Sequence, residues 1–327
     1  MSTDDGSERG TLARFGFGVT GDTAVEQRLI ELKRAKTIRR LLMLVGAVVF
    51  GFLFYLALGE VGFTIGELYR YRGEFFEALG QFFPLAPVVG IPFIDVGAYF
   101  DFIQEASLLE QAIVTLAMGF AGTVLGFPGA LIMGILGSER VLPFPLNFIF
   151  RGIMSTIRAI PALVWALIYI PLGGVSPFTA TLAIGTDTMG NLGRLFTDEL
   201  EEIEEGPIEG IRSTGADKPQ TVVFGMLSQV FTPFIAWTLY IFEINTRIAV
   251  TMGLIGGGGI GYVLQTQRKL FHYTNMMATI LVILILVISV EMVSQRTRAH
   301  LRSDTETKSF LTLLKEFPQR MTESLGK

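Results

Sequence analysis

Apolar and polar positions alternate along this chain in long blocks. Leu41–Leu58 is the first unbroken apolar run, and from Leu108 onward the apolar blocks become dense, with candidate spans at about 108–136, 145–170, 178–196, 221–250 and 275–294. Each is near or above the roughly 20 residues that a helix needs to cross the hydrocarbon core of a bilayer. The pattern predicts an all-α integral membrane protein, a polytopic helical bundle of about six transmembrane helices. Residues 60–106 interrupt it. There Ile65, Leu68, Tyr69, Phe76, Leu79 and Phe83 recur at helical spacing with Glu67, Arg70, Glu74 and Glu77 between them, which predicts a helix lying in the membrane interface. The following stretch, FFPLAPVVGIPFIDV, is apolar, but Pro84, Pro87 and Pro92 each remove a backbone donor, so it reads as an outer loop packed on the protein.

The largest polar interruption, EEIEEGPIEGIRSTGADKPQTVVFGMLSQ at 201–229, carries local helix signals. Pro207 suits the first helical position, Gly215 the left-handed residue that ends a helix, and Ile208 and Ile211 share a face. Asp217 as N-cap with Gln220 three residues on then starts a new helix that runs into the apolar TVVFGML stretch. A stub helix braced against a membrane span is the expectation. The acidic run Asp198, Glu199, Glu201, Glu202, Glu204 and Glu205 before it reads as a solvated face.

Composition agrees with the pattern. Half of the 327 residues are hydrophobic and mean hydropathy is +0.51, which requires long segments in lipid. With no cysteine and only His272 and His300, thiolate and histidine metal sites are set aside, and a net charge of −4 gives no basis for nucleic-acid binding. The chain divides into a cytoplasmic N-terminal tail, 1–40, that is disordered at first and basic at its end; a first span with an outer interfacial segment, 41–106; a core, 107–297, with a cytoplasmic loop at 197–220; and a cytoplasmic tail, 298–327. The long leader makes Leu41–Leu58 a retained anchor rather than a cleaved signal. With both termini inside, most lysines and arginines fall on inside segments, and only Arg70, Arg72, Arg268 and Lys269 fall outside, in agreement with the positive-inside rule.

Candidate sites follow from what lipid penalises. Charged groups within spans are costly unless paired or facing a polar path, so Arg158, Asp187, Glu243, Asn245 and Arg247 are the candidate substrate pathway. Glu243 and Arg247, four apart, equally fit a buried ion pair. An unpaired arginine would offer a forked donor to an oxyanion. GGGGIG at 256–261 has the spacing of a dinucleotide fingerprint, but a lipid-length run precedes it and no acidic residue follows before Glu291. Gly256, Gly257, Gly258, Gly259 and Gly261 read instead as an outer gate or a closely packed turn. Gly119, Gly122, Gly126, Gly129 and Gly134, with Ala130, predict close helix contact, and Pro161 a kink.

The stretch Glu209–Gln229 resembles the cytoplasmic loop of ATP-binding-cassette importer permeases, whose pattern is E-A-A-x-x-x-G followed nine residues later by I-x-L-P. Glu209, Gly215 and Leu227 match; Gly210 and Ile211 replace the two alanines, Gly225 the isoleucine and Ser228 the proline. IRAIPALVWALIY (157–169), EEIEEGPIEGIRSTGA (201–216) and LYIFEINTRIAVTMGLIGGGGIG (239–261) are similar to the phosphonate-importer branch of that family. The resemblance implies a homodimeric, non-enzymatic permease subunit in the cell membrane. It would carry a phosphonate or related phosphorus oxyanion from an external binding protein and be driven by two copies of a separate ATPase, which would hold the ATP and Mg; this chain needs no cofactor. Residues 207–217 would then be the coupling helix. The Ile208 and Ile211 face would dock, Glu209 and Arg212 would set orientation, and Pro207, Gly215 and Asp217 would shape the ends. A secondary transporter of a small anion is the alternative, and would show paired internal repeats. An intramembrane enzyme ranks third, since no HExxH or GxSxG occurs.

Overall fold

A computed structural model of the chain describes residues 24–88 and 91–301, helical apart from one short hairpin. The Ser/Asp/Gly-rich start of the chain and the tail beyond Leu301 lie outside the described residues. The chain falls into two units, residues 1–77 and 78–327. In the first, helix α1 (Ala24–Glu60) contains the expected apolar run but begins well before it, so the basic residues Lys33–Arg40 are helical. Its segment Glu31–Glu60 is long and apolar enough to cross a bilayer. Helix α2 (Ile65–Phe82) buries none of its residues.

The proline-rich stretch is a hairpin rather than a loop: β1 (Leu85–Val88) pairs antiparallel with β2 (Ile91–Ile94), Leu85 opposite Ile94. In a two-stranded ribbon both strands are edges, where a proline's missing N–H is tolerated. Asp95 then accepts the Ala98 N–H at 3.2 Å and caps α3 (Val96–Glu105), a helix not separately foreseen. It buries Tyr99 and Phe102, and the Tyr99 hydroxyl donates to the Phe82 carbonyl at 2.6 Å.

The rest of the second unit is a helical bundle: α4 (Leu108–Gly137), α5 (Leu146–Ala159), α6 (Ala162–Gly173), α7 (Pro177–Glu202), α8 (Glu205–Ser213), α9 (Ser228–Leu254), α10 (Gly259–Lys269) and α11 (Tyr273–Leu301). A single turn, Lys218–Gln220, and a π-helical segment, Thr221–Leu227, lead into α9. Among the described residues, α1, α4, the 218–269 stretch and α11 carry spans that are apolar and long enough for a bilayer, and the α5/α6 pair makes a fifth if counted as one. The span expected at 145–170 is therefore broken. Its halves are bent by 89°, because Pro161 drives Ile160 to extended backbone (φ −97°, ψ 115°) and ends α5.

Helix α7 is the expected 178–196 span, yet it does not meet the same apolarity requirement. The reason is its position: Ala183, Ile184, Thr188, Leu192, Phe196 and Leu200 are all fully buried, and α4, α5, α6 and α9 pack around it. A helix wrapped by protein can carry polar groups that lipid would exclude. The glycine surface of α4 makes this contact. A Cβ at Gly122 would sit 2.5 Å from Ile184 Cγ2, at Gly129 2.9 Å from Met189 and at Gly134 2.7 Å from Phe196 Cβ, while Gly126 lies against the Gly185 carbonyl. Gly119 faces Thr246 of α9 instead. Beyond this contact an apolar cluster at one end of the bundle joins Phe196, stacked on Phe234 at 3.9 Å, to Ile203, Ile208, Met226 and Val230.

Candidate functional site

The loop after α7 folds much as its signals dictate, with α8 starting two residues earlier than Pro207. Asp217 and Gln220 form the reciprocal capping pair at 2.9 and 3.0 Å, and Gly215 adopts φ +85°. The apolar face expected to dock is covered by the chain itself. Ile208 is 2% exposed and belongs to the chain's own core with Met226, and Ile211 Cδ1 lies 3.4 Å from where a Cβ of Gly225 would stand. An apolar face this close to the following π-helical segment gains more from intramolecular burial than from waiting for a partner. Pro207, Glu209, Gly210 and Arg212 remain exposed and form the free face.

Among the pathway candidates, Arg158 and Asp187 are linked through Asn191. Arg158, exposed at the end of α5, donates from Nε to Asn191 Oδ1 at 3.2 Å, and the Asn191 amide donates to the Asp187 backbone carbonyl at 3.1 Å. Asp187, Asn191, Arg194 and Asp198 follow one another at i, i+4, i+7 and i+11, a single face of α7. Arg194 holds Asp198 with two bonds, at 3.1 and 2.9 Å. This polar stripe extends the Arg158 site toward the loop end of the bundle. Asn191, Arg194 and Asp198 were not among the expected site residues, although the heptad-like register from Asp187 marks them in the sequence.

The α9 candidates separate into two other structures. Asn245 is 1% exposed and lines no path: its amide donates to Thr123 Oγ1 of α4 and Thr188 Oγ1 of α7, both at 2.8 Å. Those hydroxyls in turn donate to the carbonyls of Gly119 and Ile184, so both N–H donors of the amide are used in a clamp that joins three helices. Glu243 and Arg247 do pair, at 2.6 Å, but within a network, since Arg298 reaches Glu243 at 3.5 Å and Glu291 reaches Arg247 at 3.6 Å.

The acidic run is equally engaged rather than merely solvated. Glu201 receives Arg151, which also donates to the Gly137 carbonyl at 2.7 Å; Glu205 pairs with Arg140 at 3.2 Å; and Glu199 accepts from Trp237 Nε1 at 2.6 Å. Arg151 sits inside the broken span, and the sequence alone gives it no signal beyond its charge. The glycine run forms a tight, buried turn. Gly256, Gly258 and Gly259 take φ of +102°, +85° and +66°, Gly261 lies against the Val250 carbonyl, and the Ile260 N–H donates to Thr115 Oγ1 at 2.9 Å. The positive φ angles and the close backbone approaches account for glycine at these positions.

A family described as the binding-protein-dependent transport system inner membrane component matches residues 126–305. The chain is 31% identical over 203 residues to a phosphite transport system permease protein of Stutzerimonas stutzeri, covering 62% of this chain and 74% of that protein. It is 40% identical over 119 residues to a putative cryptic phosphonate transport system permease protein of Escherichia coli strain K12, covering 36% of this chain and 98% of that one. Its fold is similar to an inward-facing form of a methionine ABC transporter, with a TM-score of 0.55 at 22% identity over 59% of this chain and 95% of the other.

Proposed function

The chain belongs to the family of binding-protein-dependent transport system inner membrane components, and on that premise we propose that it is the membrane-spanning permease of an ATP-binding-cassette importer for phosphite, phosphonate or a related phosphorus oxyanion. The observation that carries the substrate class is Arg158. Its exposed guanidinium stands where α5 breaks, with Asn191 and Asp187 beside it and Arg194 one turn further along the stripe. Guanidinium groups match tetrahedral oxyanions through paired N–H donors.

The energy enters through α8. In this reading two ATPase copies, carrying ATP and Mg, engage the exposed face of Pro207, Glu209 and Gly210, one on each of two permease copies. An external binding protein delivers the anion at the opposite end, and the second permease copy closes the open side of the polar stripe. The distribution of lysine and arginine supports both termini being cytoplasmic. Because Ile208 and Ile211 pack on the segment that continues into α9, a pull on α8 passes into α9 and, through Asn245, into α4 and α7.

The test is reconstitution of the chain with its ATPase and binding protein in vesicles. Phosphite or methylphosphonate uptake should require ATP, and Arg158→Gln should cut uptake by about 10-fold or more while leaving assembly intact, the loss expected for one charge-assisted bond. Uptake that proceeds without the ATPase, or that Arg158→Gln leaves unchanged, removes the reading or the site respectively.

A further inference from the structure

A cavity of about 440 Å³ opens where three separate parts of the chain meet at the loop end of the bundle. Arg140 from the turn after α4, Arg212 from the last turn of α8 and Lys218 from the start of the next helix all line it, over a floor that includes Val141, Leu142 and Val223. Arg140 is fixed in place, with Nε and one terminal nitrogen on the Glu201 carbonyl at 3.2 and 2.9 Å and the other on Glu205 at 3.2 Å. Arg212 and Lys218 are exposed and pair with no carboxylate among the described residues. Three cations from three segments line one cavity and repel one another, and Glu205, the carboxylate that Arg140 meets, is itself largely exposed.

We propose that this cavity binds the phosphate of an anionic phospholipid, with one acyl chain lying over the apolar floor. Charge complementarity calls for an anion, and the apolar floor calls for a hydrocarbon attached to it, which a free oxyanion lacks. The height is also right. Arg140 follows the end of one bilayer-length helix, and Lys218 begins another. A lipid held there would tie α8 to the turn after α4 and so stiffen the lever through which the ATPase acts. The binding claim rests only on the chain being embedded in a membrane, and the assay needs neither transport nor an ATPase.

Native mass spectrometry of the purified full chain, offered dioleoyl phosphatidylglycerol against dioleoyl phosphatidylcholine, should show a preference for the anionic lipid. In Arg212→Gln/Lys218→Gln that preference should fall roughly 10- to 30-fold, from about a fivefold loss per juxtamembrane cation. The charge-conserving pair Arg212→Lys/Lys218→Arg should keep it. An undiminished preference in the glutamine variant overturns the site. Displacement of the lipid by millimolar inorganic phosphate assigns the cations to a free anion and overturns the lipid, as does loss of the lipid on assembly with the ATPase, which would assign them to that protein.

Discussion

At the scale of single residues, two buried polar groups that the sequence marks alike have different roles. Asn245 is a clamp whose two amide N–H groups each hold a threonine hydroxyl of another helix, so its removal leaves three helices without their shared polar contact. Asn245→Ala should destabilise the chain by about 1–3 kcal/mol, read as a lowered midpoint of thermal unfolding in detergent. Asn245→Asp should be worse than alanine, because a carboxylate accepts only, and both threonine hydroxyls already accept from Asn245 while donating elsewhere. An aspartate variant as stable as wild type removes the clamp. Glu243 sits at the centre of a network rather than in a pair: its side chain is 8% exposed and touches two arginines, whereas Arg247 is half-exposed and leans on Glu291 as well. Glu243→Ala should therefore cost more than Arg247→Ala, up to the ~3–5 kcal/mol of a broken buried ion pair. The double variant should recover little, since Arg298 still loses its partner. Full recovery in a double-mutant cycle would restore the simple pair.

At the scale of elements, the departures from the family's loop pattern become intelligible together. The sequence reads Ile211 where the pattern has alanine and Gly225 where it has isoleucine, and taken singly each looks like a weakened match. In the structure the two positions face one another, Ile211 Cδ1 standing 3.4 Å from where a Gly225 Cβ would lie, so a longer side chain at 225 would compete with Ile211 for the same space. Ile211→Ala alone should leave a cavity and Gly225→Ile alone should overfill the contact, each destabilising by about 1–4 kcal/mol, while the double variant should regain most of the loss. Additive losses in unfolding experiments would show that the two residues are not partners. Such exchanges are invisible to a reading of one segment at a time. Local signals did identify the Asp217 and Gln220 cap, the left-handed Gly215 and the glycine surface of α4, because each acts over a few residues or one helix face. The docking direction of Ile208 was not legible, because helical spacing says that two isoleucines share a face and nothing about what covers it. Pro161 announced a bend, but a break of 89° depends on how α5 and α6 pack on α7.

At the scale of the whole molecule, hydropathy located the spans, and its one misfit is the most informative. Helix α7 falls short of lipid-grade apolarity because one face packs on protein while the polar stripe from Asp187 to Asp198 runs along its more open side. A bundle built around such a helix can be moved only from its edges, and α8 is the edge with both a buried and a free face. The two faces make separable predictions. Ile208→Ala acts on the core, so it should lower the stability of the purified chain by about 2–5 kcal/mol whether or not an ATPase is present. Glu209 is exposed and makes no core contact, so Glu209→Lys should leave the unfolding midpoint of the chain alone unchanged. In the assembled importer it should nevertheless suppress ligand-stimulated ATP hydrolysis by 10-fold or more, as reversing a charge in a docked contact weakens complementarity. If Glu209→Lys instead destabilised the isolated chain, or stimulated hydrolysis survived it, α8 would be a structural brace and the push from the ATPase would have to enter elsewhere. The outcome turns on measuring stability and hydrolysis on the same two variants, because a coupling helix that also anchors the core predicts opposite orders for them: Ile208→Ala first in stability, Glu209→Lys first in coupling.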